Sequence, residues 1–110
     1  MGNLQAKQLP KERYVISTSS VVVAAKDQVS SDLGEEVAIL NLKNGVYYGL
    51  DAVGAQIWNL IQEPKAVNEI LDVLLDEYEV EPERCERDLL TLLEELVAEN
   101  LVEARDGTDS

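Results

Sequence analysis

The feature that most restricts the fold of this chain is the pair Asn44-Gly45, which stands between two apolar stretches, residues 36–42 and 46–50. An Asn-Gly pair in this setting predicts a two-residue type I′ turn, because both central residues of that turn need a positive φ. The sequence therefore predicts a β-hairpin whose strands are the two apolar stretches.

A two-residue loop would determine the register of this hairpin and place Leu42 opposite Tyr47 and Leu40 opposite Gly49. Successive side chains of a strand point to opposite faces of a sheet. One face then carries Val37, Ile39, Tyr48 and Leu50, and the other carries Leu40, Leu42 and Tyr47. Both faces are apolar, so we expect each to be covered at least in part, and one of the two tyrosines must leave the core.

A further strand is predicted at residues 20–25, which contain three consecutive valines. Residues 26–34 are rich in Asp, Ser and Gly and are expected to form a loop. The three predicted strands would form an antiparallel meander with residues 46–50 at its edge. If the first strand paired with residues 46–50 instead, that edge would be closed.

Three predicted helices follow the hairpin. Asp51 is placed to cap the first, the second covers about residues 66–78, and Pro82 suits the opening turn of the third. Asn100 is a predicted left-handed stop, before a short final strand at residues 101–103.

This order of elements predicts an α+β fold that resembles a winged helix-turn-helix, with a three-stranded antiparallel sheet followed by three helices. A chain of 110 residues can bury one core. We assign residues 14–105 to a single domain, residues 1–13 to a flexible N-terminal extension and residues 106–110 to a flexible tail.

The charge of the chain argues against nucleic-acid binding, the usual function of a winged helix. The chain has 22 acidic and 9 basic side chains, for a formal net charge of −13. Each phosphate contact needs a cation, whereas the predicted third helix carries six acidic residues and two arginines. We expect no nucleic-acid partner. We also expect no membrane partner, since anionic lipid attracts basic surfaces and no apolar run is long enough to span a bilayer.

The residues needed for most catalytic and metal chemistry are missing. The chain has no histidine, which excludes imidazole bases, Ser-His triads and His-ligated metals. Its single cysteine, Cys85, can form neither an intramolecular disulfide nor a thiolate zinc site, and this usage is typical of a reducing cytosol. We therefore expect a cytoplasmic protein without cofactor or metal, with Cys85 as a small buried hydrophobe. The missing side chains do not by themselves exclude an enzyme.

A family resemblance is carried by residues 47–58, YYGLDAVGAQIW. This stretch resembles the signature of PqqD-like proteins, the peptide-recognition elements of ribosomal peptide modification, in which a strand ends in Leu-Asn or Leu-Asp and a helix with Ile-Trp follows. Residues 67–78 and 87–102 also fit the family pattern. The resemblance extends over about residues 20–103.

The resemblance implies that the chain binds the leader segment of a ribosomally synthesised precursor peptide without catalysing a reaction. The leader would add as a strand to the sheet edge and lie beside the third helix. Within the family, the chain looks most like the leader-binding protein of lasso-peptide pathways. That protein serves a leader peptidase, a transglutaminase-like cysteine protease.

The predicted edge strand and third helix supply the candidate leader-binding residues. Residues 46–50 contain no proline or lysine, the usual devices against edge pairing, so this edge is open to strand addition. The leucines of the third helix are candidate pocket walls, although core packing explains each of them as well. Arg84 can pair with Asp88 or bind a leader carboxylate. The candidate set is Val46, Tyr47, Tyr48, Gly49, Leu50, Arg84, Cys85, Asp88, Leu89, Leu92 and Leu96.

Other functions also fit the sequence. A PqqD-type adaptor for a radical SAM peptide-modifying enzyme would bind a leader in the same way. An acidic winged-helix regulator that acts by protein contacts would have no leader affinity. A catalytic role for Cys85 would need a neighbouring base, and the sequence supplies none.

Overall fold

Residues 16–105 are described by the structure, a computed structural model. The predicted N-terminal extension and C-terminal tail lie outside these residues. Within the described part of the chain, no helix has both the length and the apolar character needed to cross a bilayer. In chain order the elements are β1 (Val21–Ala24), β2 (Gln28–Asp32), β3 (Val37–Asn41), β4 (Tyr47–Leu50), α1 (Ala52–Leu60), β5 (Lys65–Ala66), α2 (Val67–Glu77), α3 (Pro82–Ala98) and β6 (Val102–Arg105).

The described strands form two antiparallel sheets. The first has the order β2-β3-β4, and the second has the order β5-β1-β6. The predicted α+β class is therefore confirmed, and β4 is an edge strand as expected. The prediction was wrong about which strands share a sheet with β4.

The stretch predicted as a loop, residues 26–34, contains β2, which takes the place of the predicted first strand. The last four residues of β2 are exposed. Its conformation comes from main-chain pairing with β3, from Gln28 opposite Asn41 to Asp32 opposite Val37. A strand that buries so few apolar side chains lacks the alternation on which sequence prediction depends, and this explains the error.

The valine-rich strand β1 belongs to the second sheet because its partners come from distant parts of the chain. It pairs with β6 along its whole length and with the short strand β5 at its start. Beyond the two pairs with β5, the Ala24 N–H donates to the Ile61 carbonyl at 2.8 Å. Beyond the last pair with β6, the Ala25 N–H donates to the Leu101 carbonyl at 2.9 Å. The second sheet thus joins the first strand of the described chain to the last.

The hairpin between β3 and β4 has a four-residue loop, residues 42–45, in place of the predicted two-residue loop. Of the Asn44-Gly45 pair in this loop, only Gly45 has a positive φ, 73°. Ile39 lies opposite Tyr48, a shift of two residues from the predicted register. A shift of two residues keeps each side chain on its predicted face. Accordingly Ile39 is buried, whereas Tyr47 on the other face is exposed.

Asn41 explains the longer loop and ties it to helix α3. Its side-chain oxygen accepts from the Lys43 N–H at 2.8 Å, and its main-chain carbonyl accepts from the Gly45 N–H at 2.8 Å. Its side-chain nitrogen donates to the Glu99 carbonyl, at the end of α3, at 2.8 Å. Asn41 is buried, and these bonds satisfy its polar atoms, so the loop residues favour this geometry over the type I′ turn.

The residues predicted to begin and end the helices do so in the structure. The Asp51 carboxylate accepts from the Gly54 N–H at 2.9 Å and caps α1, as predicted. Pro82 is in the first turn of α3, and Asn100 has φ 62°, the left-handed stop that the sequence indicated.

The core lies between the two sheets and the three helices. Trp58 is almost completely buried, as a core anchor should be. Leu96, a candidate for the leader-binding site, has no exposed surface. It belongs to the core and not to a binding surface. The largest fully buried side chains are Trp58, Ile39, Ile61, Ile70, Leu93, Leu96, Leu101, Val22 and Val67.

Leu96→Ala is expected to lower the free energy of unfolding by about 2–5 kcal/mol, because it removes a wholly buried side chain and leaves a cavity. Leu92→Ala is the matched control on the same helix, and it is expected to cost less because Leu92 is only half-buried. Urea denaturation followed by circular dichroism measures both. Equal losses would contradict the placement of Leu96 in the core.

Candidate functional site

An apolar groove of about 560 Å³ lies between β4 and helix α3. The start of α1 and the residues around the end of α2 complete its walls. Most of its lining is hydrocarbon, and its polar side chains are two carboxylates, one thiol and two tyrosines. The lining residues are Tyr48, Gly49, Leu50, Asp51, Val53, Gly54, Ile57, Leu74, Tyr78, Val80, Cys85, Asp88, Leu89 and Leu92.

The local sequence places β4 and α1 side by side. Asp51 follows the last residue of β4 and caps α1, so the chain changes from strand to helix at a single residue. A Cβ atom at Gly54 would lie 3.1 Å from the Cβ of Leu50. The absence of a side chain at Gly54 therefore lets Leu50 pack tightly against the helix at the base of the groove.

Helix α3 presents an apolar stripe to the groove. Cys85, Leu89 and Leu92 follow one another at steps of four and three residues, which places them on one face of the helix. Cys85 and Leu89 are buried, and Leu92 is half-buried. Asp88 lies beside this stripe and is exposed, so the apolar wall has a charged rim.

The structure brings seven of the eleven predicted site residues together and leaves four outside the groove. Tyr47 is on the opposite face of the sheet and is 69% exposed, whereas Leu96 is in the core. Val46 directly precedes β4 and does not line the groove, and neither does the exposed side chain of Arg84. The seven that line it are Tyr48, Gly49, Leu50, Cys85, Asp88, Leu89 and Leu92. Their contact with a leader stays a prediction.

The sequence analysis missed the part of the groove that α1 and the end of α2 provide. Tyr78 had a signal, because it ends the apolar pattern of the second predicted helix. Its hydroxyl donates to the side-chain oxygen of Gln56 at 2.8 Å and connects the end of α2 to α1. Val80 is an apolar residue between two acidic ones. The missed residues are Asp51, Val53, Gly54, Ile57, Leu74, Tyr78 and Val80.

Tyr48 connects β4 directly to α3. Its hydroxyl donates to Oε1 of Glu95 at 2.8 Å. Burial raises the pKa of Tyr48 to about 12, with further contributions from this hydrogen bond and from the negative charges of Glu95 and Glu99. The phenol is therefore neutral at physiological pH and remains a hydrogen-bond donor to the carboxylate.

Cys85 is buried in the groove wall, as the sequence analysis expected. Burial raises the pKa of the Cys85 thiol, and the negative charge of Asp88 raises it further. A thiol with a raised pKa is protonated at neutral pH and is a poor nucleophile. Its contribution to the groove is apolar surface.

The outer edge of β4 carries free main-chain groups. The Asn41 N–H donates to the Val46 carbonyl at 3.0 Å, so Asn41 and Val46 form a hydrogen-bonded pair of the hairpin. Hydrogen-bonded positions alternate along an antiparallel ladder, so Tyr48 and Leu50 point their main-chain groups toward β3. The N–H and C=O groups of Tyr47 and Gly49 then point away from β3, along an edge with no neighbouring strand among the described residues.

Tyr48 is expected to make the fold less stable as the pH rises from about 10 to about 12. The folded state favours the neutral phenol, so its contribution to stability is complete below the unfolded pKa of 10.0 and is lost as the pH approaches 12. An absorbance titration of tyrosinate should show one late-titrating tyrosine, and Glu95→Gln should lower its midpoint. If the tyrosine that titrates at the highest pH is still present in Tyr48→Phe, the raised pKa does not belong to Tyr48.

Comparisons with known proteins agree with this fold. The sequence model of the family described as "Coenzyme PQQ synthesis protein D (PqqD)" matches residues 36–102. The match runs from the residue before β3 to the first residue of β6. A solved structure described as "TbiB1 in Complex with the TbiA(beta) Leader Peptide" is 41% identical in sequence with a TM-score of 0.70, and the match covers 74% of this chain and 94% of that chain. No curated protein matches. Since the family match spans more than half of its length, the chain belongs to the PqqD family.

Proposed function

We propose that this chain binds the leader segment of a ribosomally synthesised precursor peptide as an added strand on β4 and presents it to a maturation enzyme. The chain itself catalyses no reaction in this proposal. The observation that carries it is the position of the open edge of β4 directly beside the apolar groove. The edge offers main-chain partners and the groove offers a place for side chains.

The first sheet has a second edge, along β2, which has no neighbouring strand among residues 16–105 and does not adjoin this groove. No residue of β2 lines the groove. Most exposed side chains of β2 are polar, as in Ser30, Ser31 and Asp32. A peptide on β2 would find main-chain partners but no apolar pocket, so the edge of β4 is the favoured site.

Main-chain pairing alone is too weak for specific binding. The outward N–H and C=O groups of Tyr47 and Gly49 allow at most four such hydrogen bonds, each with a net contribution of about 0.5–1.5 kcal/mol. A micromolar complex needs about 8 kcal/mol, and a leader that is ordered on binding costs more. Apolar anchors contribute about 1.5–3 kcal/mol each when buried. The groove has room for such side chains, so edge and groove have to act together.

The similarity to TbiB1 supports leader binding. TbiB1 is described in complex with the TbiA(β) leader peptide, and this chain shares 41% of its residues over nearly the whole of that protein. The groove-lining stretch from Tyr48 to Ile57 lies within the part matched by the family.

We propose further that the maturation enzyme is a leader peptidase, a transglutaminase-like cysteine protease of a lasso-peptide pathway, and that the two meet in the cytosol. The support is the sequence of residues 47–58, which most resembles the lasso branch of the family. A PqqD-type adaptor for a radical SAM enzyme would use the same leader contact. The two proposals differ only in the enzyme that receives the leader.

Gly49→Pro is expected to weaken binding of the TbiA(β) leader peptide about tenfold or more, because proline removes an outward N–H and obstructs the edge. Ser30→Pro is the matched control, because the Ser30 N–H points outward at the β2 edge of the same sheet. It is expected to leave the affinity within about twofold. Fluorescence anisotropy with a labelled peptide measures both, and circular dichroism checks that both variants fold.

Equal affinities for the two proline variants would overturn strand addition on β4. In NMR spectra of the wild type, the amides of Tyr47 and Gly49 should shift and become protected from exchange when the leader is added. Unchanged signals along β4 with a bound leader would place the peptide elsewhere.

Adding the wild-type chain is expected to accelerate cleavage of a lasso precursor by a transglutaminase-like leader peptidase, while Gly49→Pro should not. Mass spectrometry of the cleaved leader measures the rate. If a bound leader is not cleaved faster, the peptidase proposal fails and leader binding stands.

A further inference from the structure

The groove beside β4 has a negative wall. Its lining contains two carboxylates, Asp51 and Asp88, and no lysine or arginine. On α3, Asp88 and Glu95 are seven residues apart, which places them on the same side of the helix two turns from each other. Leu92 lies between them, so the apolar wall of the groove is bordered by negative charge.

The contacts of Tyr48 place this charge close to the open edge. The hydroxyl of Tyr48 lies 2.8 Å from Glu95. Glu99, one turn further along α3, is near enough for its charge to raise the pKa of the same phenol. A peptide strand added to β4 would therefore run beside carboxylates of α3 and not only beside leucines.

The carboxylates of Asp88, Glu95 and Glu99 form no ion pair within the described residues. The ion pair found among residues 16–105 joins Lys43 to Asp27, at the hairpin end of the first sheet. Arg84 is one turn before Asp88 but forms no ion pair with it. The carboxylates of α3 are therefore available to a cationic side chain of a bound peptide. They repel a peptide that carries acidic side chains at the same place.

We propose that the groove selects leaders in which Lys or Arg side chains flank the apolar anchors, with the basic groups facing Asp88 and Glu95. This inference rests on the proposed leader-binding function and specifies its substrate class as a basic, amphipathic strand. Asp88 and Glu95 are separated by two helical turns, roughly 11 Å along the helix axis. Two to four residues of an extended strand advance about 7–13 Å, a range that includes this distance. Basic residues two to four positions apart in the leader can therefore reach both carboxylates.

A charge scan of the peptide tests the proposal. Each position of the TbiA(β) leader peptide is replaced in turn by Lys and by Glu, and the affinity of each peptide is measured by fluorescence anisotropy. At one or more positions, Lys is expected to bind the wild-type chain about tenfold more tightly than Glu, as two surface charge contacts of opposite sign allow. This preference should weaken as the salt concentration rises.

The variant Asp88→Asn/Glu95→Gln should reduce that preference to about threefold or less. Its matched control is Glu83→Gln/Glu86→Gln, which removes the same total charge from a separate surface of α3. Glu86 is nine residues from Glu95, and therefore on the opposite side of the helix. The control should keep the full preference for Lys. Circular dichroism confirms that each variant folds.

The outcomes separate this inference from the function on which it depends. If the leader binds but Lys and Glu are equivalent at every position, the inference is wrong and leader binding stands. The same holds if both double variants keep the preference for Lys. If the wild-type chain binds none of the peptides, both proposals fail.

Discussion

The proposed site depends on a strand that, among residues 16–105, is hydrogen-bonded on one side only. β4 is paired with β3, and its other side carries the free main-chain groups of Tyr47 and Gly49. Two polar contacts hold the hairpin against α3, one from Asn41 to the Glu99 carbonyl and one from Tyr48 to Glu95, each at 2.8 Å. They place the open edge of the strand beside the groove, where both can engage one peptide.

The proposed recognition of a leader peptide at this site has two parts. Main-chain pairing accepts any extended peptide without proline at the pairing positions, so it contributes affinity with little sequence preference. Selectivity must come from the groove, whose apolar walls favour buried anchors and whose carboxylates, Asp51 and Asp88, disfavour acidic peptides. In the proposed function, the third helix of this strongly acidic chain lies beside a bound peptide, where a winged-helix DNA-binding protein would present a basic helix.

Local sequence patterns predicted the parts of the fold that depend on neighbouring residues. The caps at Asp51 and Asn100 were right because each depends on one residue and its own main chain. The hairpin faces were right because side-chain alternation tolerates a register shift of two. The register itself was wrong, since the buried side chain of Asn41 bonds both the loop and the distant end of α3. β2 was missed because its pairing with β3 involves few buried side chains.

The candidate site, like the fold, has parts that the local sequence predicts and parts that depend on tertiary packing. The sequence by itself determined the apolar face of α3, the strand predicted at residues 46–50 and the excess of acidic residues, because periodicity, strand propensity and charge are properties of the residues in order. Only the tertiary structure decided that Leu92 lines a groove while Leu96 is enclosed in the core. It also decided that Tyr78 and Val80 join residues of α1 in that groove. Those outcomes depend on how helices pack across the sheet, and packing brings together residues that no local pattern relates.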